Sequence, residues 1–285
     1  CILIGVLAAF AASSGLLLDS HGEPIQFVTK HGEHVTLFGR GLYRMETIFT
    51  GANFLGQDRV TLFIGIPALI LFTVLYARNS IRGGLMLLGI LGYFLYVYAS
   101  MSLSASYNRL FPVYVALFSL SFYSLILLFR NFDESMLWEH FSDPMPRVGP
   151  ALFMLFAGAA TLFIWGEPVI RSLLQGEVHE RLNGYTTMVT EAIDLAIITP
   201  ATFISGMLML RRHMFGYLIA FPLLGLILML VPVITFGTIS QLGAGVSFTT
   251  AEIVGPISGF GILGLLSIWV TVTLLRNIGG EPQTQ

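Results

Sequence analysis

Eight long apolar runs constrain the fold of this chain more than any other feature of its sequence. They cover about 1–18, 60–77, 83–103, 110–129, 149–165, 188–210, 216–237 and 253–275. Each run is near the roughly twenty residues that an α-helix needs to cross a bilayer, and none alternates as the strands of a membrane barrel do. The sequence therefore predicts an all-α polytopic membrane protein, a bundle of about eight transmembrane helices.

Composition agrees with this prediction and removes several classes of function. Only 11% of the 285 residues are charged and 55% are hydrophobic, whereas soluble domains carry about 25% charged residues. The net charge of −2 offers no basic surface for nucleic acid. The single cysteine, Cys1, excludes dithiol redox chemistry within the chain. Because the sequence also lacks a phosphate-binding loop, ATP hydrolysis is not indicated.

Arginines in the shortest connectors predict the sidedness of the chain. Arg78 and Arg82 lie between the second and third runs, and Arg211 and Arg212 between the sixth and seventh. Positive charge in short loops stays in the cytoplasm, so both termini are predicted to be cytoplasmic and segment 19–59 external. An equal division of all Lys and Arg between the two sides weakens this inference. Scarce lysine beside abundant arginine fits a GC-rich bacterial genome, and hence a plasma or bacterial inner membrane.

Domain boundaries follow the distribution of charge. Segment 131–148 mixes acids with aromatic residues, and it is predicted to be a cytoplasmic amphipathic linker between two four-span halves, 1–130 and 149–285. No convincing repeat relates the two halves, so an inverted-repeat transporter design is not indicated. Segments 42–57 and 167–175 carry apolar residues at helical spacing, which predicts interfacial helices along the outer surface.

The external segment contains a predicted β-hairpin at 25–38. Two stretches rich in β-branched and aromatic residues flank an X-Gly pair, which is the pattern of a two-residue turn. In that register Lys30 faces Glu33 across the turn, and Phe27 shares a face with Thr36. Local charge and side-chain packing therefore both favour a small external hairpin.

Histidines in the same stretch raise the question of a metal site. His31 and His34 have a spacing that suggests zinc, with His21 and Glu33 close by. Two imidazoles beside a hairpin turn need not converge, however, and no cysteine supports them. Paired histidines within the apolar runs, which a haem would need, are missing. The sequence therefore predicts neither a metal nor a cofactor.

Two acids in the sixth apolar run are the strongest functional signal. On a helical wheel they share one narrow stripe with three hydroxyl groups, and its members are Thr187, Glu191, Asp194, Thr202 and Ser205. A charge at bilayer depth costs about 2.5–3.5 kcal/mol on insertion scales, so this stripe cannot face lipid. Pro200 leaves the carbonyl of Ala196 without its helical partner, which predicts a helix hinge there. These parts resemble those of an ion or proton pathway.

Three arrangements of the acids stay open at this point. They form a functional polar site, or they are paired with an arginine such as Arg59 or Arg109 in a structural network, or they reach solvent near the outer surface. Arg59 and Arg109, with Tyr107 and Asn108, are also candidates to contact an anion or a lipid headgroup.

Glycines along one face of the last span indicate that another helix packs against it. Gly255 and Gly259 form a G-x-x-x-G pattern, which lets two helices approach closely, within the chain, in a homo-oligomer or with another membrane subunit. Glu252 has a simpler role, because Thr249 precedes it at the spacing of a helix-capping box.

Three classes of function follow. The first is a small-solute or ion transporter or channel, in which the acids of the sixth run would provide a link to protons. The second is a noncatalytic structural or assembly subunit of a membrane complex. The third is a membrane enzyme that acts on a lipid-linked substrate at the outer surface, with an acid as general base and an arginine as phosphate clamp. Without a catalytic motif, the sequence favours the first class over an enzyme.

Overall fold

The computed structural model describes residues 1–18, 21–29, 32, 34–132, 137, 139–141, 145–177, 179, 182 and 184–279. Within them, seven helices are long and apolar enough to cross a membrane, and a shorter apolar helix of 16 residues precedes these. In chain order the helices are α1 (Ile2–Leu17), α2 (Ile48–Ala77), α3 (Ile81–Ser104), α4 (Phe111–Arg130), α5 (Val148–Gln175), α6 (Val189–Leu210), α7 (Met214–Gly243) and α8 (Thr250–Arg276). The prediction of an all-α, multi-pass membrane protein is confirmed.

Helices α3 and α7 occupy the centre of the bundle. In the most apolar window of each helix, the buried share is 72% for α3 and 50% for α7, against 33% or less for the other long helices. Helix α3 packs against α2, α4 and α7, while α7 also packs against α2, α6 and α8. Side chains on α3 are therefore placed to contact both halves of the chain.

Glycines allow the central helices to cross at close range. A Cβ atom at Gly225 of α7 would overlap backbone atoms of Gly89 in α3. A Cβ atom at Gly56 of α2 would likewise overlap the backbone at Gly237 of α7. In lipid, helix association depends on such close van der Waals packing rather than on the hydrophobic effect. Helix α7 is thus held directly against α2 and α3.

Hydrogen bonds between connecting segments define one end of the bundle. The side-chain amide of Gln241, near the end of α7, donates to the carbonyl of Phe49 at the start of α2 at 3.1 Å. The backbone N–H of Ser106, just after α3, donates to Glu46, just before α2. The β-hairpin lies between α1 and α2, so it belongs to this end, to which we refer as the hairpin end.

The predicted hairpin is confirmed, but its register differs from the predicted one by a residue. Strand β1 (Ile25–Val28) pairs with strand β2 (His34–Leu37) in an antiparallel sheet. Phe27 pairs with Val35, so it does not lie opposite Thr36 as predicted. Since side chains alternate between the two faces of a strand, this shift moves each residue of β2 to the other face relative to β1.

Gly32 gives the physical reason for the shifted register. Its φ angle is +82°, in the left-handed region, and its N–H donates to the carbonyl of Thr29 at 3.0 Å. A left-handed glycine after a turn is typical of hairpin loops that are one residue longer than a two-residue turn. The predicted facing pair, Lys30 and Glu33, lies outside the described residues, as does His31.

Neither predicted interfacial helix is a separate element. Within 42–57, helix α2 begins at Ile48 after the capping residue Thr47, and it continues without a break into the apolar run. Segment 167–175 is the last part of α5, which ends at Gly176 with a left-handed φ of +68°. No helix-ending residue separates these amphipathic stretches from their spans, so each is continuous with its span. Their position along the outer surface stays a prediction.

The predicted linker 131–148 is only partly described, since residues 133–136, 138 and 142–144 lie outside the described ranges. Phe141 within it forms an antiparallel bridge with Ile278, after α8. The carbonyl of Ile278 also accepts a 2.7 Å hydrogen bond from Nε of Arg82. The linker, the start of α3 and the end of α8 therefore meet at the end of the bundle away from the hairpin.

Helix α8 begins as predicted and presents an open glycine face. The Thr249 N–H donates to Oε2 of Glu252 at 2.7 Å, and the Glu252 N–H donates to Oγ1 of Thr249 at 3.3 Å, which confirms the capping box. A Cβ atom at Gly255 or Gly259 would meet nothing within 4 Å. This G-x-x-x-G pattern thus packs against no other helix within the described part of the chain.

Candidate functional site

The structure buries most of the polar stripe predicted in the sixth apolar run. Thr187 is exposed and precedes α6, while four members are buried, namely Glu191, Asp194, Thr202 and Ser205. The two hydroxyl groups are satisfied by backbone carbonyls. Thr202 donates to Thr199 within α6, and Ser205 donates to Gly216 of α7, each at 2.7 Å. These two hydroxyl groups stabilise α6 through hydrogen bonds. The carboxylates of Glu191 and Asp194 form no hydrogen bond with a backbone group of the described residues.

Asp194 is reached by polar groups from two other helices. The hydroxyl of Tyr96 on α3 and the indole of Trp165 on α5 are close enough to interact with its carboxylate. Glu191, one turn earlier on α6, lies close enough for the two negative charges to interact. Each acid has only 8% of its surface exposed. Three helices therefore surround this pair, which we call the α6 acid pair (Glu191 and Asp194).

No described arginine forms an ion pair with the α6 acid pair. The ion pair of Arg171 with Glu167, exposed on α5, is the only one formed between two described residues. Arg59 instead donates to Ser240 of α7, and Arg109 is exposed in the connection between α3 and α4. Burial of an unpaired charge in a low-dielectric interior is strongly disfavoured.

Helix α6 widens into a π-helix at the acid pair. The π segment covers Asp194–Ile198, and the N–H of Thr199 donates to the carbonyl of Asp194, one residue further back than in an α-helix. Pro200 follows directly, so the hinge predicted at Ala196 falls inside the π segment. A wider turn before a proline relieves the clash between its ring and the preceding turn, and π segments are frequent at functional sites.

Helix α2 repeats this arrangement. Its π segment covers Thr61–Gly65, the N–H of Ile66 donates to the carbonyl of Thr61, and Pro67 follows. Pro67 follows Thr61 at the same spacing at which Pro200 follows Asp194. The buried acid Asp58 precedes Pro67 by the same number of residues by which Glu191 precedes Pro200. The sequence prediction did not relate Asp58 and Pro67 to Glu191 and Pro200.

Asp58 is more deeply enclosed than the α6 acid pair. Only 4% of its surface is exposed, and the hydroxyl of Tyr43 donates to its Oδ2 at 2.6 Å. A Cβ atom at Gly15 of α1 would overlap that same oxygen. Helix α1 therefore covers the carboxylate with bare backbone, and the close approach explains why residue 15 must be glycine.

Four buried tyrosines surround Asp58, and we call Tyr43, Tyr93, Tyr98 and Tyr114 the tyrosine cluster. The rings of Tyr98 and Tyr114 are stacked with their centroids 6.3 Å apart. The hydroxyl of Tyr93 shares a 2.8 Å hydrogen bond with Oγ1 of Thr61 in the α2 π segment. All four rings are within electrostatic range of the Asp58 carboxylate. Asp58 is thus surrounded by the hydroxyl groups of the tyrosine cluster.

Glu46 is a fourth buried acid, and it connects three segments at the hairpin end. Its Oε1 accepts from the N–H of Ser106, and its Oε2 accepts from the hydroxyl of Tyr185, both at 2.6 Å. Only 1% of its surface is exposed. Burial raises the pKa of Glu46, and the hydrogen bonds from Tyr185 and Ser106 oppose that rise. Burial and the nearby Glu46 carboxyl also raise the pKa of Tyr185.

The residues predicted to contact an anion do not gather in one place. Tyr107 is 82% exposed, Arg109 is exposed, and the side-chain oxygen of Asn108 accepts a 2.9 Å hydrogen bond from the backbone at the start of α4. Only Arg59 lines a cleft, which lies between α1, α2 and α7, and there it is joined by Arg40. The sequence prediction did not single out Arg40.

The sequence prediction missed Asp58, Glu46 and the tyrosine cluster, because no one of these positions indicates a site when it is taken alone. Asp58 stands next to Arg59 at the edge of an apolar run, which indicates an ordinary surface pair. Glu46 lies in a polar connector, and the tyrosine cluster is scattered over three segments. The one available signal was the matching position of Pro67 and Pro200 after a polar residue of a span.

The described residues contain no group of three or more His, Cys, Asp or Glu side chains that could hold a metal ion. Of the residues considered for zinc, His31 and Glu33 are outside the described ranges. No protein-family model, no curated protein and no solved structure matches the chain. The basis for inferring function is therefore the α6 acid pair, Asp58 and the residues around them.

Proposed function

We propose that the protein is a transporter of a small solute or ion whose cycle is linked to proton binding by the α6 acid pair. The observation that carries the proposal is the burial of Glu191 and Asp194 without an ion pair to any described residue, at a π segment that Pro200 follows. Ionisable groups inside membrane spans are expensive to bury and commonly serve proton and ion pathways. Asp58, beside the second π segment, is the partner centre in the same proposal.

Proton binding by Asp194 would change its contacts with the neighbouring helices. An ionised carboxylate only accepts hydrogen bonds, whereas a protonated carboxyl group has one oxygen that must donate. The polar groups near Asp194 belong to Tyr96 and Trp165. Because these two partners stand on α3 and α5, the proton state of one side chain alters contacts on both helices. This is the local change that a proton-linked cycle requires.

The π segments supply places where α2 and α6 can bend. Pro67 and Pro200 have no N–H to close the helical hydrogen-bond ladder, so the helix before each proline is held by fewer backbone bonds. Short helical pieces on either side of such a point are a recurring feature of transporter sites near the middle of the bilayer. A pivot at Pro200 would move Asp194 relative to α3 and α5.

The proposal also includes the predicted topology. With α1 counted as a span, both termini share one side, which the arginine distribution assigns to the cytoplasm of a bacterial cell, and the hairpin end faces outward. In this orientation the α6 acid pair and Asp58 both lie in the outer half of the protein, at the beginnings of α6 and α2.

Proton flux in proteoliposomes tests the proposed function. Vesicles that contain the purified protein and the pH dye pyranine are given a potassium diffusion potential, with and without mixtures of small solutes outside. We expect solute-dependent proton entry with the wild-type protein, and its loss in Asp194→Asn. Glu177→Gln, at an exposed acid after α5, is the matched control and should retain the flux. Equal flux in Asp194→Asn and wild type would overturn the proposal.

A further inference from the structure

A divided cleft opens at the hairpin end between α1, α2 and α7. Its two cavities have volumes of about 340 Å³ and about 260 Å³. Phe38, Arg40, Leu55 and Arg59 line both, so these side chains form the boundary between the cavities. The larger cavity is bounded by the last turns of α7, and the smaller one by the end of α1 and the segment up to Tyr43.

Two guanidinium groups, those of Arg40 and Arg59, line this cleft. Arg40 lies over the ring of Phe38, with its central carbon 4.7 Å from the ring centroid. Arg59 donates to the hydroxyl of Ser240. Neither forms an ion pair with any described residue. Asp58 is buried, accepts a hydrogen bond from Tyr43 and interacts electrostatically with Arg59. The charged side chains that line the described cleft are the two arginines.

The position of the cleft along the bundle matches the depth of lipid headgroups. Arg59 directly precedes the apolar run that begins at residue 60, and Gly243 is the last residue of α7. Phe236 and Ile239 of α7 line the larger cavity and are exposed on the outer surface of the bundle. An apolar wall thus continues from the arginines toward the hydrocarbon region of the bilayer.

We infer that this cleft binds an anionic phospholipid, with its phosphate group between Arg40 and Arg59 and an acyl chain against Phe236 and Ile239. Guanidinium groups bind phosphate through paired charge-assisted hydrogen bonds, and basic pockets between membrane helices recognise anionic headgroups. The apolar wall selects an amphiphile over a free anion. Tyr43 forms part of the floor, so the bound phosphate lies above the Tyr43–Asp58 hydrogen bond.

This inference is independent of the proposed transport function, because it concerns binding alone. Native mass spectrometry of the protein in detergent measures the binding of added phosphatidylglycerol and phosphatidylcholine directly. We expect phosphatidylglycerol to bind about tenfold more tightly than phosphatidylcholine, and Arg40→Gln or Arg59→Gln to lower its affinity about tenfold. Arg109→Gln changes an exposed arginine at the same end that does not line the cleft, and it should bind as the wild type does.

Two further measurements distinguish binding of a phospholipid from binding of free phosphate. Phe236→Ala should weaken phosphatidylglycerol binding, and inorganic phosphate alone should not compete at equal concentration. Equal affinity for the two lipids, unchanged affinity in both arginine variants, or competition by inorganic phosphate would each overturn the inference. If Arg59→Gln fails to fold, Arg40→Gln decides the question, because Arg40 lies in a connecting segment outside the helices.

Discussion

Tyr93 and Tyr96 lie about one turn apart on α3 and contact the two π segments of the bundle. Tyr93 is hydrogen-bonded to Thr61 in α2 at 2.8 Å, and Tyr96 lies close enough to Asp194 in α6 for the two side chains to interact. The central helix therefore joins the two places where the spans widen before a proline. A rotation or shift of α3 would change contacts near both the α6 acid pair and Asp58. Helix α3 is therefore the element through which the two would be coupled.

Replacing the hinge proline should separate stability from transport. Pro200→Ala restores a backbone donor and favours a regular α-helix, so we expect the unfolding free energy to rise by up to about 3 kcal/mol. The same change should lower flux because the helix no longer opens at Asp194. Thermal unfolding and proteoliposome flux measure the two effects. Pro222→Ala, inside α7 and away from either π segment, is the control, and its flux should be retained.

The hydrogen bond from Tyr43 to Asp58 should make a measurable contribution to stability. Tyr43→Phe removes the hydroxyl that donates to the buried Asp58 carboxylate while it keeps the ring, so we expect a loss of about 1–3 kcal/mol. Tyr107→Phe changes a tyrosine that is 82% exposed, and it should alter stability by less than about 0.5 kcal/mol. Equal melting temperatures for the two variants would show that the bond has no structural role.

Gly15 and Gly5 offer a matched test of how closely α1 covers Asp58. Gly15→Ala places a methyl group on the Asp58 carboxylate, so it should displace α1 and destabilise the protein by about 1–3 kcal/mol. Gly5→Ala is on the same helix, but the nearest atom to its new methyl group would be 3.9 Å away. Thermal unfolding should therefore separate the two variants, with Gly5→Ala near the wild type or above it.

Glu46 should make stability depend on pH. Its pKa in the folded protein is raised above the ordinary value of 4.5, so between these two values the folded state binds more protons than the unfolded state. Stability therefore falls as pH rises through this window, and it is constant with respect to Glu46 below and above it. Glu46→Gln should remove this part of the pH dependence of the melting temperature. A fall of the same size in both proteins would contradict the assignment.

The architecture was largely predictable because a membrane span depends on length and hydropathy, which are local properties. The α6 acids were found for the same reason, since two carboxylates inside an apolar run are unusual whatever surrounds them. Pro200 pointed to the position of the hinge, although not to its π-helical form. Local patterns also gave the hairpin, but one glycine conformation at Gly32 shifted its register.

Asp58 and its surroundings were not predictable because they depend on tertiary contacts between segments far apart in the chain. Its burial requires Gly15 from α1 and Tyr43 from a connecting segment, and neither residue has a local pattern that indicates this role. The same is true of Glu46, which looks like a solvated acid until Ser106 and Tyr185 are placed beside it. The pairing of Arg59 with Arg40 likewise follows from the fold.

Infrared difference spectroscopy tests the central claim, that the α6 acid pair binds and releases a proton. The protein is reconstituted in nanodiscs and titrated with pH, and the carbonyl stretching band of protonated carboxyl groups is followed. We predict a band that changes with pH in the wild type and in Glu177→Gln, and that is missing in Asp194→Asn. An identical pH-dependent spectrum in the wild type and Asp194→Asn would contradict the claim.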